Sequence, residues 1–359
     1  MQRICLTILC LIYFLPIQAL AADEPITLRH AIIAYHDENY ESAYEQMRKY
    51  LPLGSPDAAY YLGIFSIEEL GTDYDPVKSV GYLRAAKAWR HEGAEGLLAQ
   101  IEPHLNAEEL AAAEAFYQAL QAQLVLPIGR ARLDTRDVEH RRATRRAQPD
   151  YPLHYVRMGI QSWMDVTQVI GKHGRILASA VLNDPMTDFT RGYRRVERQW
   201  RYPAGDDIQY TRVTLVYNID LNTAESLKAI EDAFNRVLPL AEAGVPEQQM
   251  FLAGMARTRD QDGNPYPILE SFRPEHWYDR AARGGYPPAQ RIMALLYMSE
   301  TWAEYLIAHD DLTVMTFYGV LLHHLAADET KRARGIELLQ LAAAAGDDRA
   351  KTILADIEA

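Results

Sequence analysis

Cysteine is almost absent. The chain has two in 359 residues, Cys5 and Cys10, so from residue 11 onward no disulfide and no thiolate metal site can form and packing must hold the fold. Long apolar runs are missing too: only Ile4 to Ile17 approaches one, and it falls short of the ~20 residues that span a bilayer. Positive charge is in deficit, with 37 Lys and Arg against 49 Asp and Glu and a net charge of −12. That balance argues against a general nucleic-acid binder, whose affinity rests on a positive surface. No Gly-rich phosphate loop follows a strand pattern, and no Gly-x-Ser-x-Gly elbow occurs. His323 and His324 are adjacent, so on a helix they diverge and are poorly placed to share a metal. His276 beside Trp277, and His309 beside Asp310-Asp311, sit at turn signals where solvated or capping roles suffice. The acidic pairs Glu68-Glu69 and Glu108-Glu109 lie in helical segments as a solvated face would. The expectation is a protein with no enzyme activity, no cofactor, no metal and no small-molecule substrate.

The amino terminus carries a targeting pattern. Arg3 supplies a positive charge, Ile4 to Ile17 an apolar core, and Ala19-Leu20-Ala21 a small-x-small cleavage site, so residues 1–21 read as a signal peptide. An inner-membrane anchor formed by uncleaved residues 4–20 is the competing reading. Cys10 follows Ile8-Leu9 rather than small residues, which argues against lipidation. Export places the mature chain in the periplasm, in contact with membrane only indirectly. Its 338 residues carry −13, because the leader holds only Arg3, and suffice for two or three domains.

Two flanks read as helical. Leu28 to Leu51 gives two helices broken at Asp37-Glu38-Asn39. Ala58-Ala59-Tyr60-Tyr61-Leu62-Gly63, Gly71, Asp75, Tyr82, Ala85-Ala86 and Gly93-Ala94 follow in order. Alanine and Leu-Gly on a first helix, a glycine turn, then an aromatic and Ala-Ala on a second resemble the SEL-one-like, tetratricopeptide-type repeat. Such units bury their faces only by stacking. Similar junctions appear at Trp277 to Ala282 with Gly285 to Ala289, at Ala343 to Ala350, and in weaker form at Leu240 to Pro246. Trp302 to Ala308 and Leu312 to Ala326 are apolar helices that do not fit the repeat and look like an insertion. The expected order is therefore repeats over 22–128, a basic linker over 129–148 holding Arg130, Arg132, Arg136, Arg141, Arg142, Arg145 and Arg146, a sheet domain over 149–222, and repeats with an insertion over 223–359. The linker arginines are either a solvated face or a contact for an acidic partner or anionic surface.

Between the flanks the pattern changes. Trp163 to Ile170 and Arg175 to Leu182 are strand-like and separated by Gly171-Lys172-His173-Gly174, a hairpin signal. Phe189, Tyr193, Val196 and Trp200 recur as one face of a short helix, and Val213, Leu215, Tyr217 and Ile219 alternate as a third strand. The fold class is α+β: a small strand-strand-helix-strand sheet between helical repeat segments forming a solenoid.

The joints of that order, Pro149-Asp150-Tyr151-Pro152, Gly159, Gly174, Phe189 and Trp200-Arg201-Tyr202-Pro203-Ala204, resemble the TonB C-terminal domain. Sequences of that family open with Pro-x-Tyr-Pro and close their helix with Trp-x-aromatic. The match covers about one fifth of the chain. Ser162 stands where the family commonly has glycine, and Pro203 follows Tyr202 without an intervening residue. The resemblance implies a periplasmic domain that engages outer-membrane transport proteins, although the anchor and long Pro-rich spacer of full transducers are not recognisable. Partners are expected among envelope or outer-membrane proteins. Tyr151, Trp163, Trp200 and Tyr202 are expected to form the core of this small sheet-plus-helix domain. Function is expected at the edge of the last strand, at Arg212, Val213, Thr214, Leu215, Val216 and Tyr217, where an extended peptide can add through main-chain hydrogen bonds. The alternatives are an edge blunted by a neighbouring helix, and a helical-repeat scaffold in which the sheet is only structural.

Overall fold

A computed structural model describes residues 26–129, 131–157, 162–183, 187–217, 224–257 and 264–359. The expectations for the leader (1–21), Arg130, Gly159 and Ile219 lie outside these residues. Six helices come first: α1 (Leu28–His36), α2 (Tyr40–Arg48), α3 (Pro56–Glu68), α4 (Pro76–Ala88), α5 (Ala94–Ile101) and α6 (Ala107–Ala122). The central part runs α7 (Leu153–Arg157), β1 (Ser162–Ile170), β2 (Ile176–Val181), α8 (Thr187–Val196) and β3 (Gln209–Tyr217). Then come α9 (Ala224–Glu242), α10 (Pro246–Met255), α11 (Pro274–Arg283), α12 (Pro287–Arg291), α13 (Glu300–Ala308), α14 (Leu312–Leu325), α15 (Glu329–Ala344) and α16 (Asp348–Glu358). The molecule is mixed α+β and mostly helical.

Local chemistry sets the helix boundaries. Ser55, Asp75, Asn106, Ser299, Asp311, Asp328 and Asp347 each accept a first-turn amide at a helix start, satisfying a donor that has no partner within the helix. One closing turn recurs: a residue at positive φ ends the helix, and the next amide reaches back five residues. Ser55 bonds to Tyr50, His91 to Ala86, Val245 to Leu240, Tyr286 to Ala281, Asp311 to Leu306 and Asp347 to Ala342, which is the Schellman closure. Gly54, Gly244, Gly285 and Gly346 hold the left-handed position in four of these turns, and Arg90 and Asp310 in the other two. Gly93 instead begins α5.

Small residues let helices approach. A Cβ on Gly335 would lie 2.5 Å from the carbonyl oxygen of Gly319, so α14 and α15 pack nearly backbone to backbone. The two flanks also meet. Leu28 N–H donates to Gly284 O (2.9 Å), Tyr61 Oη to Ala243 O (3.1 Å), and Arg283 to the carbonyls of Leu53 (2.6 Å) and Pro127 (3.1 Å). Residues from both flanks accordingly share one hydrophobic core.

The sheet is antiparallel in the order β2-β1-β3. In β1, Trp163, Asp165, Thr167 and Val169 alternate with Met164, Val166, Gln168 and Ile170. Trp163 and Val169, with Ala178, Ala180, Leu182 and Tyr210, belong to the helical core. Met164 and Val166 pack with Phe189, Tyr193 and Tyr217, and Ile170 with Trp200 and Tyr202. Both faces of the sheet are covered, so every residue of β1 is buried.

Candidate functional site

β3 is an edge strand, paired with β1 from Gln209↔Ile170 to Tyr217↔Ser162. Among the described residues no backbone hydrogen bond reaches its outer side. Its side chains are largely committed. Tyr210 Oη donates to Leu295 O (2.9 Å) and Arg212 Nη1 to Leu296 O. Thr214 Oγ1 donates to Asp165 Oδ1 (2.7 Å), while Arg257 bridges Asp165 (2.6 Å) and Thr214 (2.9 Å). Val213, Leu215 and Tyr217 turn to the α8 side and pack there. Of the six residues expected at the edge, Val216 offers an apolar side chain to solvent, 47% exposed. The exposed residues of the edge are therefore Arg212, Thr214 and Val216.

The motif residues converge on the α8 face. The Tyr151 ring lies 5.8 Å from Phe189 and 5.7 Å from Tyr217. Trp200 is buried and donates from Nε1 to Ala147 O (2.9 Å). Tyr202 Oη donates to Gln168 Oε1 (2.7 Å), and Gln168 Nε2 to Tyr193 Oη (2.9 Å), so a buried polar chain is satisfied in a place where an unpaired group would be costly. Burial pushes the Tyr202 phenol up to about 12. Gly174 has φ +72°, and a Cβ there would stand 2.0 Å from Tyr202 O; its carbonyl accepts Tyr202 N–H at 2.9 Å. Pro152 O accepts Tyr155 N–H where α7 begins, and Pro149 lies beside Gly192 of α8.

The arginine-rich segment is an extended strap. Leu133 N–H donates to Met298 O, Arg136 N–H to Leu325 O and Thr144 N–H to Arg201 O. The Arg141 guanidinium donates to Gly171 O (3.1 Å), Pro203 O (3.2 Å), Ile170 O (3.4 Å) and Asp207 O (2.9 Å), and its Nε to Gln209 (3.3 Å). Burial lowers the Arg141 pKa from its usual value. Arg136 and Arg141 are thus used within the fold, and their spacing in sequence gave no sign of it. Arg142, Arg145 and Arg146 face outward, with Arg146 stacked 5.5 Å from the Trp200 ring.

A second polar constellation lies where the flanks meet. Asp57 (α3) and Arg280 (α11) are 1% and 2% exposed and paired at 2.5 Å. Gln249 Nε2 donates to Asp57 at 3.0 Å, and Glu92 adds a carboxylate 3.2 Å from Arg280. Burial pushes the Asp57 carboxyl upward, but Arg280 and His91 more than offset it, leaving the pKa below the usual range. Burial holds His91 down at about 4. Its Nδ1 accepts Gly93 N–H (3.2 Å) and its ring stacks on Tyr60 at 3.9 Å. His276, whose Nε2 lies 3.3 Å from the carboxylate, brings Glu92 down to about 2, with Arg280 assisting. An open groove of about 630 Å³ lies above, lined by Arg90, His91, Glu92, Glu242, His276 and Trp277. The shifted groups are engaged by protein partners, so their perturbation follows from the join between the flanks. A second groove, of about 770 Å³, is lined by Tyr50, Leu53, Val125, Tyr305 and Ala308.

Among the described residues, no group of three or more His, Cys, Asp or Glu is placed to hold a metal ion, and no helix is long and apolar enough to cross a membrane. His323 lies 3.3 Å from Asp207, while His324 is buried facing His140. No protein-family model and no curated protein matches the chain.

Proposed function

We propose that this chain is a periplasmic protein-interaction protein, similar in its central part to the TonB C-terminal domain, that captures an extended peptide of an envelope or outer-membrane transport protein along β3. The observation that carries the reading is the outer side of β3, which has no backbone partner among the described residues and so can accept a further strand. In this reading the flanking helix pairs are SEL-one-like repeats that stack as a solenoid and hold a second partner. A second reading, in which the helices do all the binding, draws support from the groove beside Val125, which is 59% exposed.

Site-specific photo-crosslinking separates the two. A benzoylphenylalanine replacing Val216 should capture an outer-membrane protein from the envelope of the native host. Capture only from a probe replacing Val125 would move binding to the helices, and capture from neither would refute both.

A further inference from the structure

The chain's charge is segregated. Residues 130–212 hold 16 Lys and Arg against 10 Asp and Glu, for +6, whereas the remainder holds 21 against 39, for −18. The positive excess lies next to β3. The strap follows that strand along its length on the α8 side: Arg141 meets Gln209, Ala143 and Ala147 pack in the cluster that holds Val213 and Leu215, and Tyr151 reaches Tyr217.

Arg142, Arg145 and Arg146 project from the strap into solvent. The backbone bridge between Arg145 and Arg201 sets Arg201 beside them, and Arg195 and Arg198, both exposed, precede it closely in the chain. Arg201 is held by the carbonyls of Arg198 and Trp200, both at 2.7 Å. Among the described residues none of these six arginines is paired with a carboxylate, whereas Arg191 and Arg194 of α8 are neutralised by Asp188 and Glu197. On the opposite face of β3 the exposed Arg212 is held by a carbonyl alone. The open edge therefore runs between uncompensated positive groups, while the rest of the surface repels anions and draws cations.

From this placement we infer that the segment taken up by β3 is acidic: an extended peptide whose alternate side chains are Asp or Glu and meet the arginines of the strap. The inference rests on the capture reading above. Main-chain pairing supplies the common affinity, and the strap arginines supply the preference.

The test uses the full chain and three ten-residue peptides with Val at alternate positions and the remaining positions all Glu, all Gln or all Lys. Binding is followed by fluorescence anisotropy, and hydrogen exchange of residues 209–217 reports strand pairing. The Glu peptide should bind roughly ten-fold tighter than the Gln peptide, the sum expected of about three exposed ion pairs, and the Lys peptide weakest. The preference should vanish near 1 M salt, where screening falls to ~3 Å, and in the triple variant R142S/R145S/R146S, with folding checked by circular dichroism. The salt series on the unaltered protein tests the same point should that variant not fold. Equal affinity for the Glu and Gln peptides, with exchange slowed at 209–217, would overturn the acidic preference and leave strand capture standing. No slowing with any peptide would overturn strand capture and the preference with it. Displacement of the Glu peptide by an equal charge of oligothymidylate would overturn the acidic-peptide preference and show a generic anion surface instead.

Discussion

Replacing Arg280 by Met tests the ionic join between the two helical flanks. Methionine keeps an unbranched stem where the Arg280 guanidinium lies 4.5 Å from the Trp277 ring, so the change removes charge more than volume. It leaves the carboxylate of Asp57 buried, with Gln249 and a His91 that sits 3.7 Å away as its remaining neighbours. Stranding one member of a buried pair costs about 3–5 kcal/mol. Replacing both, as Asp57→Leu with Arg280→Met, removes the unpaired charge along with its partner, and such exchanges are often neutral or stabilising. Gln249 still has Ala241 O as an acceptor at 3.0 Å. The singles should therefore lower the urea midpoint strongly while the double returns near wild type, a coupling of about 3 kcal/mol or more between positions 223 residues apart. Singles that each cost under about 1 kcal/mol, or a double equal to their sum, would refute the reasoning.

Acid should weaken the fold. His91 and His324 are both held down at about 4, chiefly by burial, against ~6.5 unfolded. The unfolded chain takes up these protons first, so stability is full above about pH 6.5 and falls as pH drops towards 4, by up to about 2–3 kcal/mol per histidine at pH 4.5. Urea midpoints should drop across that window and less steeply in His91→Gln; equal midpoints at pH 7.5 and 4.5 would contradict this. Gly254→Ala should lower the melting temperature, because its Cβ would come 1.6 Å from Trp163 Cζ2, and overpacking costs about 1–3 kcal/mol; an unchanged melting curve would show that the sheet does not seat on α10 in this way. Arg141→Lys exchanges a planar fork for a point charge and should speed trypsin cleavage after Arg142, Arg145 and Arg146 without changing cleavage elsewhere.

The strand-strand-helix-strand order was legible because its signals are local: alternation in Trp163 to Ile170, the glycine turn at Gly171 to Gly174, and the spacing of Phe189, Tyr193 and Val196; Trp200, expected on the same helix face, stands in extended backbone past the end of α8. The motif aromatics lie on the α8 face in two adjoining apolar clusters, whereas Trp163, expected in the same core, packs on the other face among the helices. What covers the helix-facing side of β3 left no local mark. Tyr210 and Arg212 are anchored on carbonyls about 85 positions away, and any apolar helix could have supplied them. The Asp57–Arg280 pair is invisible for the same reason, since each residue alone reads as a solvated charge. Arg90 shows a different limit: the glycine of Gly93-Ala94 marks the turn, but the left-handed position falls three residues earlier on a residue that no pattern selects.

The sheet's two faces decide how far it stands alone. One face carries its own cover, α8 and the strap; the other contributes Trp163, Val169, Leu182 and Tyr210 to the helical core, with Trp163 5.2 Å from Phe251 and Asp165 relying on Arg257. Exposing those four side chains gives up about 1.5–3 kcal/mol each, roughly 6–12 in all, which is comparable with the whole ~5–15 kcal/mol stability of an ordinary domain. A fragment spanning 131–222 should therefore lack cooperative unfolding and a near-ultraviolet tryptophan signal, even though it contains every residue of the motif set. A monomeric fragment with dispersed amide resonances and a sharp urea transition would show that α8 and the strap suffice. Without that result, a strand added at β3 bears on a sheet whose far face is part of the helical core, so an event at the edge and one on the helices would be coupled through Trp163.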